Sequence, residues 1–142
     1  MKSLFYKGVL MAKLILKSLK SCTKKRPHIM IVGRPEWQSL INDTVDSYFG
    51  PLDSIIETPT YSDTEKWLGQ LEPDLVIITN YKLGLGLDLK KIIAKVPVSS
   101  IVVMCDKHTL NAVMATGVNY TTKKDIKDLL PIVKRILEAQ GY

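Results

Sequence analysis

The sequence predicts one α/β domain in which five short strands alternate with helices around a parallel sheet. Three observations predict it. Short apolar runs rich in β-branched residues recur along the chain, each closed by glycine, proline or a polar residue. Between them lie stretches with apolar residues at three-to-four-residue spacing. The chain has 142 residues, 46% hydrophobic and 24% charged, which is enough for one core and ordinary for a globular domain.

The elements follow in order from His28. The run His28–Val32, ended by Gly33, reads as a buried strand. Pro35 and Glu36 suit a helix start, with Trp37, Leu40, Ile41, Val45 and Phe49 as its core face and Gly50-Pro51 as its stop. Residues 54–57 form a weaker second strand. Ser62 or Asp63 caps the next helix, whose apolar side is Trp67, Leu68 and Leu71. Residues 74–79 form the third and clearest strand, apolar without alternation and so buried on both faces. A loop with Gly84 and Gly86 leads to a helix from about Leu87 to Ala94, facing inward with Leu89, Ile92 and Ile93 and broken by Pro97. Residues 100–104 form the fourth strand. Asp106 caps a helix holding Leu110, Val113 and Met114, which stops at Gly117. Residues 118–121 form a short fifth strand. Asp125 caps the last helix, which buries Leu129, Val133, Ile136 and Leu137 and carries Pro131 as a kink or a break. Single-helix crossovers between consecutive strands make the sheet parallel and the crossovers right-handed. The fold class is a flavodoxin-like (βα)5 doubly wound sheet of five parallel strands, with an extra N-terminal helix.

The formal charge of +6 is unevenly distributed. Residues 1–26 carry seven lysines, one arginine and no acid, whereas residues 27–142 carry twelve basic and fourteen acidic residues. The chain therefore divides into a basic amphipathic extension, 1–26, and an α/β domain, 27–142. In the extension, Lys13, Lys17 and Lys20 share one helical face and Leu10, Leu14, Ile15 and Leu19 line another. Such a helix can pack on its own domain or on a second copy, or act as a leader or interaction tail. Its charge also suits an anionic membrane surface or nucleic acid. No run of 18 uncharged apolar residues occurs, and Cys22 and Cys105 form no paired motif, so a reducing, cytoplasmic setting is expected.

In an open parallel sheet, sites form beyond the carboxyl ends of the strands. There the chain places Gly33, Arg34 and Glu36, then Thr79, Asn80 and Lys82, then Met104, Cys105 and Asp106, then Thr122, Lys123 and Lys124. Glu36 and Asp106 do not make the carboxylate cluster that a hard cation needs. His28 and His108 have no ligand spacing, and Gly84-Leu85-Gly86 lacks the fuller pattern of a phosphate-binding loop. Neither a metal nor a cofactor is expected, and no catalytic residue is assigned.

Three stretches carry a family resemblance. Residues 72–79 resemble the third strand of response-regulator receiver domains, residues 115–124 their fifth-strand region, and residues 30–33 their first strand. The order and spacing of the three agree over about Pro27 to Leu137. The resemblance implies a phosphorylation site, and this chain departs from it. Gly33 and Arg34 stand where two metal-binding acids are usual, and Thr79, followed by Asn80, stands in place of the phosphorylated aspartate. Met104 or Cys105 replaces the switch threonine or serine. Lys123 matches the family lysine and Tyr120 the switch aromatic.

A threonine cannot form the acyl phosphate, and Arg34 adds positive charge where the metal would bind. The resemblance therefore implies a degenerate, non-phosphorylatable pseudo-receiver. Such a domain is not an enzyme and works through protein contacts, with another protein or as a homodimer. The family's usual contact face would include Lys107, Asn111, Tyr120, Lys127 and Lys134. The alternative readings are a flavodoxin-like domain binding a small ligand, or an anion between Arg34 and Lys123, and association with membrane or nucleic acid through residues 1–26.

Overall fold

Each apolar run becomes a strand because its residues are buried on both sides. The computed structural model describes residues 26–82 and 87–142. The expected N-terminal helix, apart from Arg26, and the Gly84–Gly86 turn lie outside these residues. The strands are β1 (His28–Val32), β2 (Ile55–Glu57), β3 (Leu75–Tyr81), β4 (Ile101–Cys105) and β5 (Asn119–Thr121). All pair in parallel, in the order β2-β1-β3-β4-β5. The helices are α1 (Gln38–Phe49), α2 (Thr64–Leu68), α3 (Leu89–Ile93), α4 (Leu110–Met114) and α5 (Ile126–Ala139). This is the flavodoxin-like (βα)5 fold that the sequence predicts.

Successive strand residues point to opposite faces, so each central strand feeds two cores. Ile29, Ile31, Leu75, Ile77, Val102 and Met104 meet Ile41 and Val45 of α1 and Leu129, Val133, Ile136 and Leu137 of α5. Met30, Val32, Val76, Ile78, Ile101 and Val103 meet the apolar residues of α2, α3 and α4 on the other face. The register aligns Ile31 with Ile77 and Ile77 with Val102, stacking β-branched side chains across three strands. Each fully buried isoleucine stabilises the fold by about 1.5–3 kcal/mol through removal of apolar surface from water.

Four details differ from the sequence expectation. Leu40 is 51% exposed and Met114 is 47% exposed, although both were expected to face inward. A 3-10 turn, Pro35–Trp37, precedes α1, and its tighter winding changes the phase of the following face. Ile41 and Val45 then form the buried stripe, and Leu40 lies about 100° around from Ile41. On the five-residue α4, Val113 takes the inward position and Met114 falls beside it on the outer side.

Asp106 does not cap α4 directly. Its carboxylate accepts from the Thr109 N–H at 3.0 Å and from the Thr109 hydroxyl at 3.1 Å, closing the turn before the helix. Asp63 stands at the α2 N-cap without a side-chain capping bond. Asp125 caps α5 as expected, accepting from Lys127 N at 3.1 Å, whereas α3 begins at Leu89 rather than about Leu87 and is capped by Asp88, which accepts from Lys90 N at 3.0 Å and was not singled out from the sequence.

The third difference concerns β3, which continues to Tyr81 rather than ending at Thr79. A bulge makes this possible. Ile78 pairs with Val103 and Tyr81 with Cys105, so β3 holds one residue more than β4 over the same span. Asn80 takes up the slack at φ 49°, a conformation asparagine tolerates better than most residues.

The fourth is Pro131, which lies inside an uninterrupted α5. It sits on the exposed side, lacks the N–H for the Lys127 carbonyl, and is held by the apolar face around it. Pro131→Ala restores that hydrogen bond and gains helix propensity. It loses some restraint on the unfolded chain. The expected net effect is a stability gain of about 1–2 kcal/mol, read as a higher denaturant midpoint at unchanged slope.

Candidate functional site

The carboxyl ends of β1, β3 and β4 bring together most of the residues selected from sequence. A hollow there is lined by Arg34, Trp37, Thr79, Asn80, Met104, Cys105 and Lys124. The space open to the centre of a water molecule is about 20 Å³. That is room for a water-sized group and far less than a flavin or nucleotide occupies.

Thr79 forms the floor. It is 1% exposed, and its Oγ1 donates to the Val32 carbonyl at 2.6 Å, tying β3 to β1. The hydroxyl at the position that the receiver resemblance equates with the phospho-acceptor is thus engaged in holding the sheet edge together. Its own backbone carbonyl accepts a hydrogen bond from the Tyr61 hydroxyl.

Tyr61 comes from the loop between β2 and α2 and packs against the core on that face. Its ring lies over Gly33. A Cβ at Gly33 would meet Tyr61 Cζ and Oη at 2.7 Å. Gly33 also adopts φ +89°, which L side chains rarely adopt, and its N–H donates to the Pro59 carbonyl at 3.3 Å. The space beside Gly33, where the receiver resemblance would put a metal-binding acid, is therefore filled by a tyrosine ring. Sequence reasoning missed Tyr61, because a lone tyrosine in a polar loop carries no spacing signal.

Arg34 is occupied locally. Its Nη1 donates to Glu36 Oε1 at 3.1 Å, and its guanidinium lies 5.4 Å from the Trp37 ring centroid. Glu36 is held below its ordinary pKa first by a backbone N–H and then by Arg34. Trp37, expected to belong to the core, also forms a wall of the hollow.

Cys105 is 3% exposed. Burial pushes its thiol pKa up, with Thr109 opposing and the Asp106 charge adding to the shift. A raised pKa leaves little thiolate at neutral pH. Asp106 is shifted down, chiefly by the Thr109 backbone N–H.

The two lysines separate. Lys123 is exposed, with Nζ 3.9 Å from Asp128 Oδ1, and Lys124 lines the hollow. The edge thus presents Arg34, Asn80 and Lys124 around a threonine floor. Among the described residues no group of three His, Cys, Asp or Glu side chains is placed to hold a metal ion.

The face selected by resemblance is built by α4, β5 and α5. Lys107, Asn111 and Lys127 are exposed there, and Tyr120 is 40% exposed on β5. Lys134 lies elsewhere: its Nζ sits 4.9 Å from the ring centroid of Tyr48 on α1 and 3.5 Å from Glu138. Arg135 takes the position facing β5, donating to Asn119 Oδ1 at 3.1 Å. Met114 adds a second exposed apolar side chain on α4.

A parallel sheet of order β2-β1-β3-β4-β5, flanked by helices on both faces, is the CheY-like topology of the receiver-domain superfamily. No protein-family model matches the sequence, and no curated protein matches it. No helix of the described residues is long and apolar enough to cross a membrane.

Proposed function

We propose that this domain is a pseudo-receiver, a regulatory module that has the receiver topology, takes no phosphoryl group and acts by binding protein. The observation that carries this reading is the closed acceptor site. Thr79 donates to Val32, Tyr61 donates to the Thr79 carbonyl, and the Tyr61 ring covers the position of the first missing acid. Aspartyl phosphorylation needs a carboxylate nucleophile and a metal-bridged phosphoryl group. Thr79 supplies no carboxylate, and Gly33 and Arg34 supply no metal ligand. The domain does no chemistry of its own on this reading.

Binding falls to the α4-β5-α5 face, where exposed Met114 and Tyr120 give apolar contact area and Lys107 and Lys127 favour an acidic partner. The test is titration of the protein with Mg²⁺ and beryllofluoride, followed by amide chemical shifts. The expected spectrum is unchanged around residues 33–34, 79–80 and 104–106. A saturable, Mg²⁺-dependent shift of those amides overturns the reading.

A further inference from the structure

We propose that the groove between α1 and β2 docks the chain's own lysine-rich segment, residues 1–25. Residues 35–65 contain seven acidic residues and neither lysine nor arginine. They build α1, β2 and α2, so the sheet is flanked by negative charge at its β2 edge. Within that edge lies a groove of about 190 Å³ lined by Gln38, Ser39, Asn42, Asp53, Ser54 and Ile56.

Two polar atoms of the groove-lining residues, Asn42 Oδ1 and Ser54 Oγ, are shielded from water and have no hydrogen-bond partner among the described residues. Native structures rarely leave such atoms unpaired. Asn42 and Ser54 line the groove together with Asp53, so its residues carry a carbonyl oxygen, a hydroxyl and a carboxylate. The side chain that offers several donors and positive charge on a flexible stem is lysine.

The chain's own path supports this occupant over others. Residues 1–25 hold seven lysines and no acid. They lead directly into Arg26, which is already at the rim of the groove. Arg26 Nε donates to the Asp53 carbonyl at 3.4 Å and lies 3.6 Å from Asp53 Oδ2. A segment tethered at that point acts at an effective concentration on the order of millimolar, so individually weak lysine contacts suffice. The competing occupant is a second copy. Residues 107–135 near the β5 edge carry six basic and two acidic residues, and could meet the acidic edge head to tail.

The experiment uses the full chain with a nitroxide on Cys22. Cys105 is buried with a raised thiol pKa, so it does not compete for the label. At about 0.02 M salt, where the Debye length is about 20 Å, the expected result is broadening of the amides of residues 38–42 and 53–56. The double variant Asp43→Asn/Asp53→Asn, which removes an exposed carboxylate of α1 and the groove's own, is expected to lose most of it, asparagine being tolerated at the Asp53 φ of 54°. Salt of about 0.5 M, with a Debye length near 4 Å, is expected to remove most of it too. Mixing labelled unenriched chains with unlabelled ¹⁵N chains should give no broadening. The proposal is overturned if the wild-type broadening falls elsewhere or is absent. It is likewise overturned if broadening survives the double variant, or if it appears in the mixed sample, which means capture by a second copy.

Discussion

Gly33→Ala is expected to destabilise the domain by about 3 kcal/mol, combining three effects. A Cβ on a residue at φ +89° costs about 1–2 kcal/mol from its own backbone. The same Cβ would lie 2.7 Å from Tyr61 Cζ, so the ring must move. Displacing the ring breaks the hydrogen bond to the Thr79 carbonyl, a loss of about 1 kcal/mol. For a domain of this size the melting temperature should fall on the order of 10 °C. A double-mutant cycle with Tyr61→Ala isolates the collision. With the ring removed, Gly33→Ala should cost only the backbone contribution of about 1–2 kcal/mol. If the cost is the same in both backgrounds, Tyr61 does not fill the site in solution.

Thr79→Asp, which supplies the acceptor carboxylate that the proposed pseudo-receiver lacks, is expected to fail twice. It should confer no phosphorylation from acetyl phosphate, because Gly33 and Arg34 still provide no carboxylate for Mg²⁺. It should also destabilise the fold at neutral pH by about 3–5 kcal/mol, the usual cost of an unpaired buried charge. The reason is local. Position 79 is 1% exposed and its side chain points at the Val32 carbonyl, 2.6 Å from the present hydroxyl.

Two acceptors then face each other, so the introduced carboxyl has its pKa raised in the folded state. A raised folded pKa places the more stable variant below the unfolded carboxyl pKa of about 3.9. There the carboxyl is protonated and can donate to Val32 as threonine does. The deficit relative to the wild type should therefore grow as pH rises above about 4 and level off above the raised pKa. Urea midpoints for both proteins across that range measure it. A deficit independent of pH means that the introduced group reaches solvent.

The architecture was legible because its determinants are local and repeated. The unbroken run Val76–Ile78 states burial on both faces, and the aspartate at 125 states where the last helix begins. The elements that departed from expectation depend on phase or on distant partners. Leu40 turned outward because a 3-10 turn preceded α1, and helical spacing alone does not show that turn. β3 ran on through Asn80 because a bulge against β4 absorbed a residue. That positions 33, 34 and 79 carry no acid could be read directly from the chain. What fills the space beside Gly33 could not. Tyr61 lies 28 residues from Gly33 in sequence and reaches it only through the β2–α2 loop. Lys123 and Lys124 are adjacent in the chain, and only the turn after β5 separates the one that meets Asp128 from the one that lines the hollow.

The two outer strands, β2 and β5, are each three residues long. Between them stand the longer β1, β3 and β4, whose backbones are paired on both sides. The open margins therefore offer only a few unpaired N–H and C=O groups, too few to template a further strand. Glu57 on β2, and Lys123 and Lys124 just past β5, add charge at both margins. This makes the sheet a poor seed for edge-to-edge stacking and amyloid-like growth, despite its dense β-branched interior. It also limits how a partner can engage this sheet: side chains on the flanking helix faces, loops and grooves offer far more contact than backbone strand addition at its margins.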